Sequence, residues 1–232
     1  SNADAVVLAW QGGQESGNAV ADVLSGVVNP SGRLPMTFPI HLDDHASNAN
    51  FPRLATDYNP IMLMIDKKEK PEEEWIENVD YTVYEEGIYV GYRHFDKAEL
   101  EVAFPFGYGM SYTEFEYLNP SFVQHKDSIG ITVFVKNTGA YPGKEVVQVY
   151  TSNLNKAADH PEKELRAFRK TKLIEPGEQE QILIMMPKAD LAYWNEEEST
   201  WKTDETAYQI MLGNSSRYLF FKKEFYLEST DN

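Results

Sequence analysis

The chain has 232 residues and no cysteine, and its 37 acidic residues against 21 basic residues give a net charge of −16. The missing cysteines exclude disulfides, thiolate metal sites and a cysteine nucleophile. The negative charge argues against nucleic acid or an anionic membrane as a partner, whereas a neutral partner such as a sugar is compatible with it. A hydrophobic content of 42% supports a packed core, and no apolar run reaches the roughly 18 residues of a membrane span.

The N-terminal stretch predicts one βα unit. Residues 5–10 (AVVLAW) are a short continuous apolar run, typical of a strand buried on both faces in a parallel sheet. After two glycines, apolar residues recur at helical spacing over residues 18–24, with Ser16 or Asn18 as the N-cap and Gly26 as the C-terminal stop. Because a lone βα unit cannot cover both faces of its strand, this part is predicted to be the end of a larger α/β domain.

The middle of the chain is irregular. Residues 29–32 (NPSG) predict a turn, and residues 34–38 predict a short extended segment. Residues 40–80 are polar and acidic and predict a surface loop with at most one short helix. Residues 86–95 are rich in aromatic side chains, and residues 103–113 form a loop of glycine and aromatic residues.

Beyond residue 112 the pattern is β throughout. Alternating apolar residues predict four strands, at residues 129–135, 147–149, 182–186 and 208–212. About seven short strands over ~115 residues are typical of an immunoglobulin-like sandwich. The predicted fold is therefore an α/β part at residues 4–111 followed by an all-β sandwich domain at residues 112–232.

The glycine loop at residues 12–17 follows a strand and opens a helix, which is a favourable context for an anion. Its spacing does not match a dinucleotide or nucleotide-triphosphate loop, and Glu15 would repel a phosphate. Glu15 itself has two interpretations. It is either a ligand-binding residue at the end of a sheet strand, or a carboxylate that stabilises the helix N-terminus.

Other candidates have simpler interpretations. Ser111 lacks the surroundings of a nucleophile elbow and is interpreted as a loop serine. His41 and His45 flank two aspartates but have no third ligand at a suitable spacing, so a solvated acidic loop is preferred to a metal site. The aromatic residues between 89 and 112, together with Trp10, belong to the core or to a domain seam, with two or three at a cleft edge.

Several long motifs resemble glycoside hydrolase family 3, the β-glucosidases and β-xylosidases. The segment GGQESGNAVADVLSGVVNPSGRLPMTFP is similar to part of the family's C-terminal α/β-sandwich domain, and EGIYVGYRHFD and FPFGYGMSYTEFEY are similar to the segments that follow it. VFVKNTGAYPGKEVVQVYTS, KELRAFRKTKLIEPGEQEQ and YQIMLGNSS resemble the family's fibronectin type III-like domain. The resemblance covers nearly the whole chain, and residues 40–80 are its least typical stretch.

The resemblance implies a larger retaining β-glycosidase that acts on terminal β-linked glucose or xylose and needs no cofactor. Its nucleophile would lie in an N-terminal barrel domain and its acid/base in the α/β domain, both ahead of the residues matched here. Within this chain the resemblance therefore implies no catalytic residue, and Gln14 and Glu15 are candidates for the edge of the substrate cleft. It also implies a periplasmic or secreted protein.

Two expectations concern the chain by itself. We expect it to be structural and without hydrolytic activity; the alternative is that the β-sandwich is a carbohydrate-binding or protein-interaction module. Because the strand at residues 5–10 would lack its sheet neighbours, we also expect self-association or a rearranged N-terminal segment.

Overall fold

The computed structural model describes residues 5–48, 84–155 and 159–227. The chain divides into two compact units, one formed by Ser1–Pro35 with Phe106–Asn232 and the other by Met36–Pro105. Within the described ranges, no helix is long and apolar enough to cross a membrane.

Helix α1 spans Ser16–Leu24 and confirms the predicted helix, with two more residues at its start. Its N-cap is Glu15 rather than Ser16 or Asn18, and the carboxylate of Glu15 accepts a hydrogen bond of 2.6 Å from Asn18 Nδ2. Gly26 follows the helix with a φ of +79°, a left-handed conformation in which a Cβ would be strained. Gly26 therefore ends the helix, as the sequence predicted.

Residues 5–10 do not form the predicted buried strand. In the described part of the chain they pair with no other strand, and Val6, Val7 and Leu8 are 74%, 49% and 45% exposed. The prediction was wrong because an apolar run becomes a strand only where a neighbouring strand satisfies its backbone amides and covers its faces.

The second unit is small within its described residues, 36–48 and 84–105. Strand β1 (Phe38–Pro39) pairs antiparallel with β2 (Val102–Phe104), and helix α2 (Tyr92–Lys97) precedes β2. Two short 3₁₀ helices span Leu42–Asp44 and Ala46–Asn48. Most of the predicted acidic loop, including Glu72–Glu74, lies outside the described residues.

Two antiparallel sheets confirm the predicted sandwich, and their described strands number seven as expected. The first sheet has the order β3-β4-β7, formed by Phe115–Gln124, Ser128–Asn137 and Gln179–Pro187. The second has the order β11-β10-β5-β6, formed by Leu219–Tyr226, Ala207–Gly213, Val146–Asn153 and Glu164–Lys170. A separate hairpin pairs β8 (Tyr193–Asn195) with β9 (Thr200–Lys202).

The core lies between the two sheets and comes from the alternating residues that the sequence singled out. All of these side chains are buried: Ile129, Ile131, Val133, Val135, Val147, Val149, Ile182, Ile184, Met186, Tyr208, Ile210 and Leu212. Each large apolar side chain removed from water stabilises the fold by about 1.5–3 kcal/mol. The period of two therefore determines which face of each strand meets the opposite sheet.

Asn137 fixes the turn that follows β4. Its side chain is fully buried, and its Nδ2 donates to the carbonyls of Tyr141 and Ile174 at 2.7 and 2.8 Å. Its Oδ1 accepts from Thr113 Oγ1 at 2.6 Å and from the amide of Gly139 at 3.1 Å. The carboxamide thus uses both hydrogens and both lone pairs, which makes a buried amide favourable here.

A polar cluster around Asp204 lies at the end of β5, before β10. The carboxylate accepts hydrogen bonds from Asn153 Nδ2 at 2.9 Å and from the hydroxyl of Tyr193 at 3.0 Å, and His160 Nε2 lies 3.1 Å away. Asn155 adds a longer contact of 3.4 Å. Burial alone would raise the pKa of Asp204, but these hydrogen bonds outweigh it and lower the pKa below its ordinary value.

We predict that Leu212→Ala lowers the free energy of unfolding by about 2–5 kcal/mol, because it leaves a cavity in the core. Leu183→Ala is the matched control, since Leu183 is 48% exposed on β7. It should change the free energy of unfolding by less than about 0.5 kcal/mol. Guanidinium unfolding of both variants measures the difference, and equal effects would contradict this assignment of the core.

We predict that Asp204→Asn destabilises the chain by about 1–3 kcal/mol near neutral pH, because it removes a charged hydrogen-bond acceptor. The folded-state pKa of Asp204 is depressed, so its contribution is present above the unfolded pKa and is lost as pH falls through the folded pKa. The difference in the free energy of unfolding between variant and parent should therefore shrink as the pH falls through the lowered folded-state pKa of Asp204. Asp127→Asn, on an exposed turn, is the control; a difference that does not depend on pH would refute the charge-based explanation.

Candidate functional site

An open groove of about 720 Å³ is formed within the first unit by residues 7–9, the glycine loop, α1 and residues 28–32. Its walls are mainly aliphatic, from Val7, Leu8, Val20, Val23 and Val28. The structure brings the two predicted cleft-edge residues, Gln14 and Glu15, into the lining of this groove. A concave surface with few polar groups is a typical setting for a ligand or for a packed neighbouring segment.

The glycine loop is held by local contacts. The amide of Ser16 donates to the carbonyl of Gly13 at 3.1 Å. A Cβ on Gly12 would overlap the side chain of Ser16, so the close approach requires glycine at that position. Together with the bond between Asn18 and Glu15, these contacts favour a structural helix start over a phosphate cradle.

Among the described residues that line the groove, Glu15 is the only one with a carboxylate. Hydrolysis of a glycosidic bond by the usual mechanisms needs two carboxylates about 5–10 Å apart. The groove therefore does not supply a catalytic pair. A single carboxylate and the amide of Gln14 can still accept or donate hydrogen bonds to the hydroxyls of a sugar.

Asn29 ties the turn after α1 to the β-sandwich. Its Nδ2 donates to the carbonyl of Pro142 at 2.9 Å, and its Oδ1 accepts from Ser111 Oγ at 2.9 Å and from the amide of Tyr112 at 2.8 Å. The hydroxyl of Ser111 is thus a donor to a carboxamide. This supports the interpretation of Ser111 as a loop serine and not as a nucleophile.

Arg33 makes the second connection of this turn. Its guanidinium donates through Nη1 to the carbonyl of Gly109 and through Nη2 to the carboxylate of Glu145. The side chains of Arg33 and Glu145 are only 11% and 4% exposed. Glu145 Oε1 also accepts from the amide of Val146 at 2.5 Å.

Burial and the nearby charge of Glu145 raise the pKa of Tyr117 above its ordinary value.

The loop at residues 107–112 lies between this turn and the sandwich. The amide of Leu34 donates to the carbonyl of Tyr108 at 2.8 Å, and the amide of Gly107 donates back to the carbonyl of Leu34 at 2.8 Å. A Cβ on Gly109 would overlap the carbonyl of Gly32, and Gln148 donates to the carbonyl of Gly107 at 3.0 Å. We call residues 29–34 and 107–112, with these contacts, the corner.

The histidine and aspartate residues after Pro39 serve a local turn. Asp44 accepts from the amide of His41 at 2.9 Å, and Asp43 accepts from Asn48 Nδ2 at 2.6 Å. The ring of His45 packs edge-on against Phe95, with 5.7 Å between the ring centroids. In the described parts of the chain, no three histidine, aspartate or glutamate side chains are grouped as metal ligands would be.

The aromatic candidates are divided between core and surface. Phe95 is buried, whereas Trp10, Phe104 and Tyr112 are 54%, 43% and 44% exposed. The hydroxyl of Tyr112 donates to the carbonyl of Val23 at 2.8 Å, so this ring packs at the end of α1. That two or three of these aromatic residues lie at a cleft edge stays a prediction.

Sequence reasoning missed the buried contacts of the corner. Arg33 and Glu145 are 112 positions apart, and nothing local to either residue identifies its partner. The one available signal is a charged residue next to a structured element at each site, Arg33 inside a Pro/Gly turn and Glu145 directly before an apolar strand. Such a charge is buried only when a partner neutralises it.

Two family models match the chain. The glycosyl hydrolase family 3 C-terminal domain matches residues 1–92, and the fibronectin type III-like domain matches residues 145–216. The order agrees with the predicted fold class. The predicted domain boundary at residues 111 and 112 lies between the two matches and stays a prediction.

Among known proteins, the chain is 41% identical over 228 residues to a β-glucosidase of Kluyveromyces marxianus, covering 97% of this chain and 24% of that protein. It is 38% identical to the thermostable β-glucosidase B of Acetivibrio thermocellus, covering 97% of this chain and 27% of that protein. A solved structure of β-glucosidase 3B from Thermotoga neapolitana in complex with α-D-glucose matches with 39% identity and a TM-score of 0.79, covering 94% of this chain and 27% of that one.

The chain thus spans about a quarter of the length of the relatives that it matches. The motifs, the seven-stranded sandwich and the two domain matches lead to the same assignment. The chain belongs to glycosyl hydrolase family 3, of which it carries C-terminal domain residues followed by a fibronectin type III-like domain.

Proposed function

We propose that the chain is the C-terminal portion of a β-glucosidase, and that within it the chain acts as a scaffold. The proposed full-length reaction is hydrolysis of terminal β-linked glucose, or of xylose as the second candidate sugar, with retention of configuration. The observation that carries this proposal is the 38–41% identity to β-glucosidases across 97% of the chain. No cofactor is needed for this chemistry.

Retaining hydrolysis uses one carboxylate as a nucleophile and another as the acid and base. The groove lining contains only Glu15, whose carboxylate is engaged with Asn18. This supports the proposal that both catalytic carboxylates of the full-length enzyme lie outside this chain. The chain spans only about a quarter of the length of its relatives. In this proposal Gln14 and Glu15 border the sugar cleft without taking part in bond cleavage.

The scaffolding role follows from the corner. Asn29 and Arg33 hold the turn after α1 against the loop at residues 107–112 and against Glu145 on the sandwich. The position of the glycine loop relative to the sandwich is therefore set by directional polar contacts within one unit. In the proposed full-length enzyme, this rigidity would keep Gln14 and Glu15 in place at the cleft edge.

We predict that the purified 232-residue chain does not hydrolyse aryl β-glucosides or aryl β-xylosides, because the chain offers no catalytic carboxylate pair in the groove. Chromogenic release is the assay, with a family 3 β-glucosidase as the positive control. Hydrolysis that persists through repeated purification and disappears in Glu15→Gln would overturn the proposal that both catalytic carboxylates lie outside this chain. Hydrolysis that is unchanged in Glu15→Gln would overturn it as well, by indicating a catalytic pair elsewhere in the chain.

We predict that Arg33→Ala lowers the free energy of unfolding by about 3–5 kcal/mol, because it leaves the buried carboxylate of Glu145 without its cation. Arg33→Ala combined with Glu145→Gln should lose less stability than the sum of the single variants. Arg169→Ala is the control, since its bond to the carbonyl of Leu183 is exposed. Additive effects in this double-mutant cycle would contradict a coupled ion pair.

A further inference from the structure

The hairpin of β8 and β9 carries two exposed tryptophans. Trp194 and Trp201 lie directly opposite each other in the register. Their ring centroids are 5.8 Å apart and their planes meet at 73°, an edge-to-face pair. Trp194 is 49% exposed and Trp201 is 68% exposed. The hairpin belongs to neither sheet of the sandwich.

A cross-strand aromatic pair also has a purely structural use, because it stabilises a short hairpin. That role explains the contact between the two rings. It does not explain why the larger part of Trp201 remains in water, since tryptophan normally contributes to stability by burying its ring. Exposed clusters of large apolar side chains commonly mark a binding surface.

The opposite face of the hairpin is anchored. Successive residues of a strand point to opposite faces, so Tyr193 faces away from Trp194. The Tyr193 hydroxyl donates to Asp204 at 3.0 Å, and the ring of His160 packs edge-on against Tyr193 with 4.9 Å between centroids. These contacts hold the tryptophan face in a fixed position, which reduces the entropy cost of binding a ligand.

The charge around this face limits the class of ligand. The hairpin turn carries three exposed carboxylates, at residues 196–198, and Lys202 Nζ donates to Glu198 at 2.7 Å. An acidic rim disfavours phosphates and anionic lipids. Sugar hydroxyls, by contrast, donate hydrogen bonds to carboxylates, and the C–H face of a β-linked glucose ring matches an indole face in size and polarity.

We propose that Trp194 and Trp201 form an auxiliary binding surface for a chain of β-linked glucose. One glucose ring stacks on the exposed face of Trp201, Trp194 forms an edge beside it, and the carboxylates of the turn accept hydrogen bonds from its hydroxyls. The choice of sugar rests on the proposed β-glucosidase function. The surface is distinct from the groove that contains Gln14 and Glu15, because the two share no residue.

Isothermal titration of the 232-residue chain with cellohexaose tests this proposal. We expect saturable binding that weakens by about tenfold or more in Trp201→Ala and in Trp194→Ala, because each variant removes an aromatic contact. Trp10→Ala is the matched control, since Trp10 is 54% exposed but lies outside the hairpin. Absence of binding at millimolar cellohexaose, or equal affinity in all variants, would overturn the proposal.

A second pair of variants separates binding from folding. Trp201→Phe and Trp194→Phe keep an aromatic face and should retain affinity within about threefold. Thermal unfolding followed by circular dichroism reports whether the alanine variants remain folded. If the phenylalanine variants bind as weakly as the alanine variants, stacking is refuted. Binding of a lysine-rich peptide in place of cellohexaose would also overturn the proposal and indicate a protein partner.

These outcomes are independent of the proposed catalytic role. Cellohexaose binding is measured on a chain from which no hydrolysis is expected. A failure to bind refutes the hairpin surface and leaves the β-glucosidase assignment in place. Hydrolysis by the chain itself refutes the scaffold proposal. The affinities of the tryptophan variants still test the hairpin surface in that case.

Discussion

The buried ion pair between Arg33 and Glu145 is the constraint on which the first unit depends. Removing a guanidinium and a carboxylate from water costs several kcal/mol for each ion, and only a close partner with further hydrogen bonds offsets that cost. Arg33 has both Glu145 and the carbonyl of Gly109, and Glu145 also has the amide of Val146. A small displacement would break several of these bonds together, so the turn after α1 has one favoured position against the sandwich.

This arrangement explains how an N-terminal segment without sheet neighbours stays attached to the sandwich. Residues 5–10 contribute no ladder hydrogen bonds within the described part of the chain, and α1 contains no buried residue. Apolar burial therefore contributes little to the position of this segment. Asn29, Arg33 and the paired amides of Leu34 and Gly107 provide it instead. Directional polar contacts specify one orientation more narrowly than apolar contacts do.

The sequence predicted well those elements whose pattern is local. Alternation identified β4, β5, β7 and β10, because these central or well-covered strands have one face in the core. It did not identify β3, β6, β11 or the hairpin of β8 and β9, whose exposed faces weaken the period of two. The Arg33–Glu145 pair and the contacts of Asn29 join residues 82 to 113 positions apart, and no local pattern encodes such a pairing. Gln14 and Glu15 lie together in the lining of the groove because they share one loop, and their place at the edge of a substrate cleft stays a prediction.

The net charge of −16 means that the fold has to accommodate many carboxylates, either in water or next to hydrogen-bond donors. Two carboxylates that the fold largely removes from water have donors around them: Glu145 has Arg33, and Asp204 has two carboxamides, a phenol and an imidazole. The exposed acids of the hairpin turn have no such requirement, because water solvates them. Those acids repel one another and any anion, but they impose little cost on a neutral ligand rich in hydroxyl groups. An acidic surface that presents aromatic rings is therefore better matched to a sugar than to a phosphate, and this holds for the hairpin whatever the catalytic residues of the proposed full-length enzyme are.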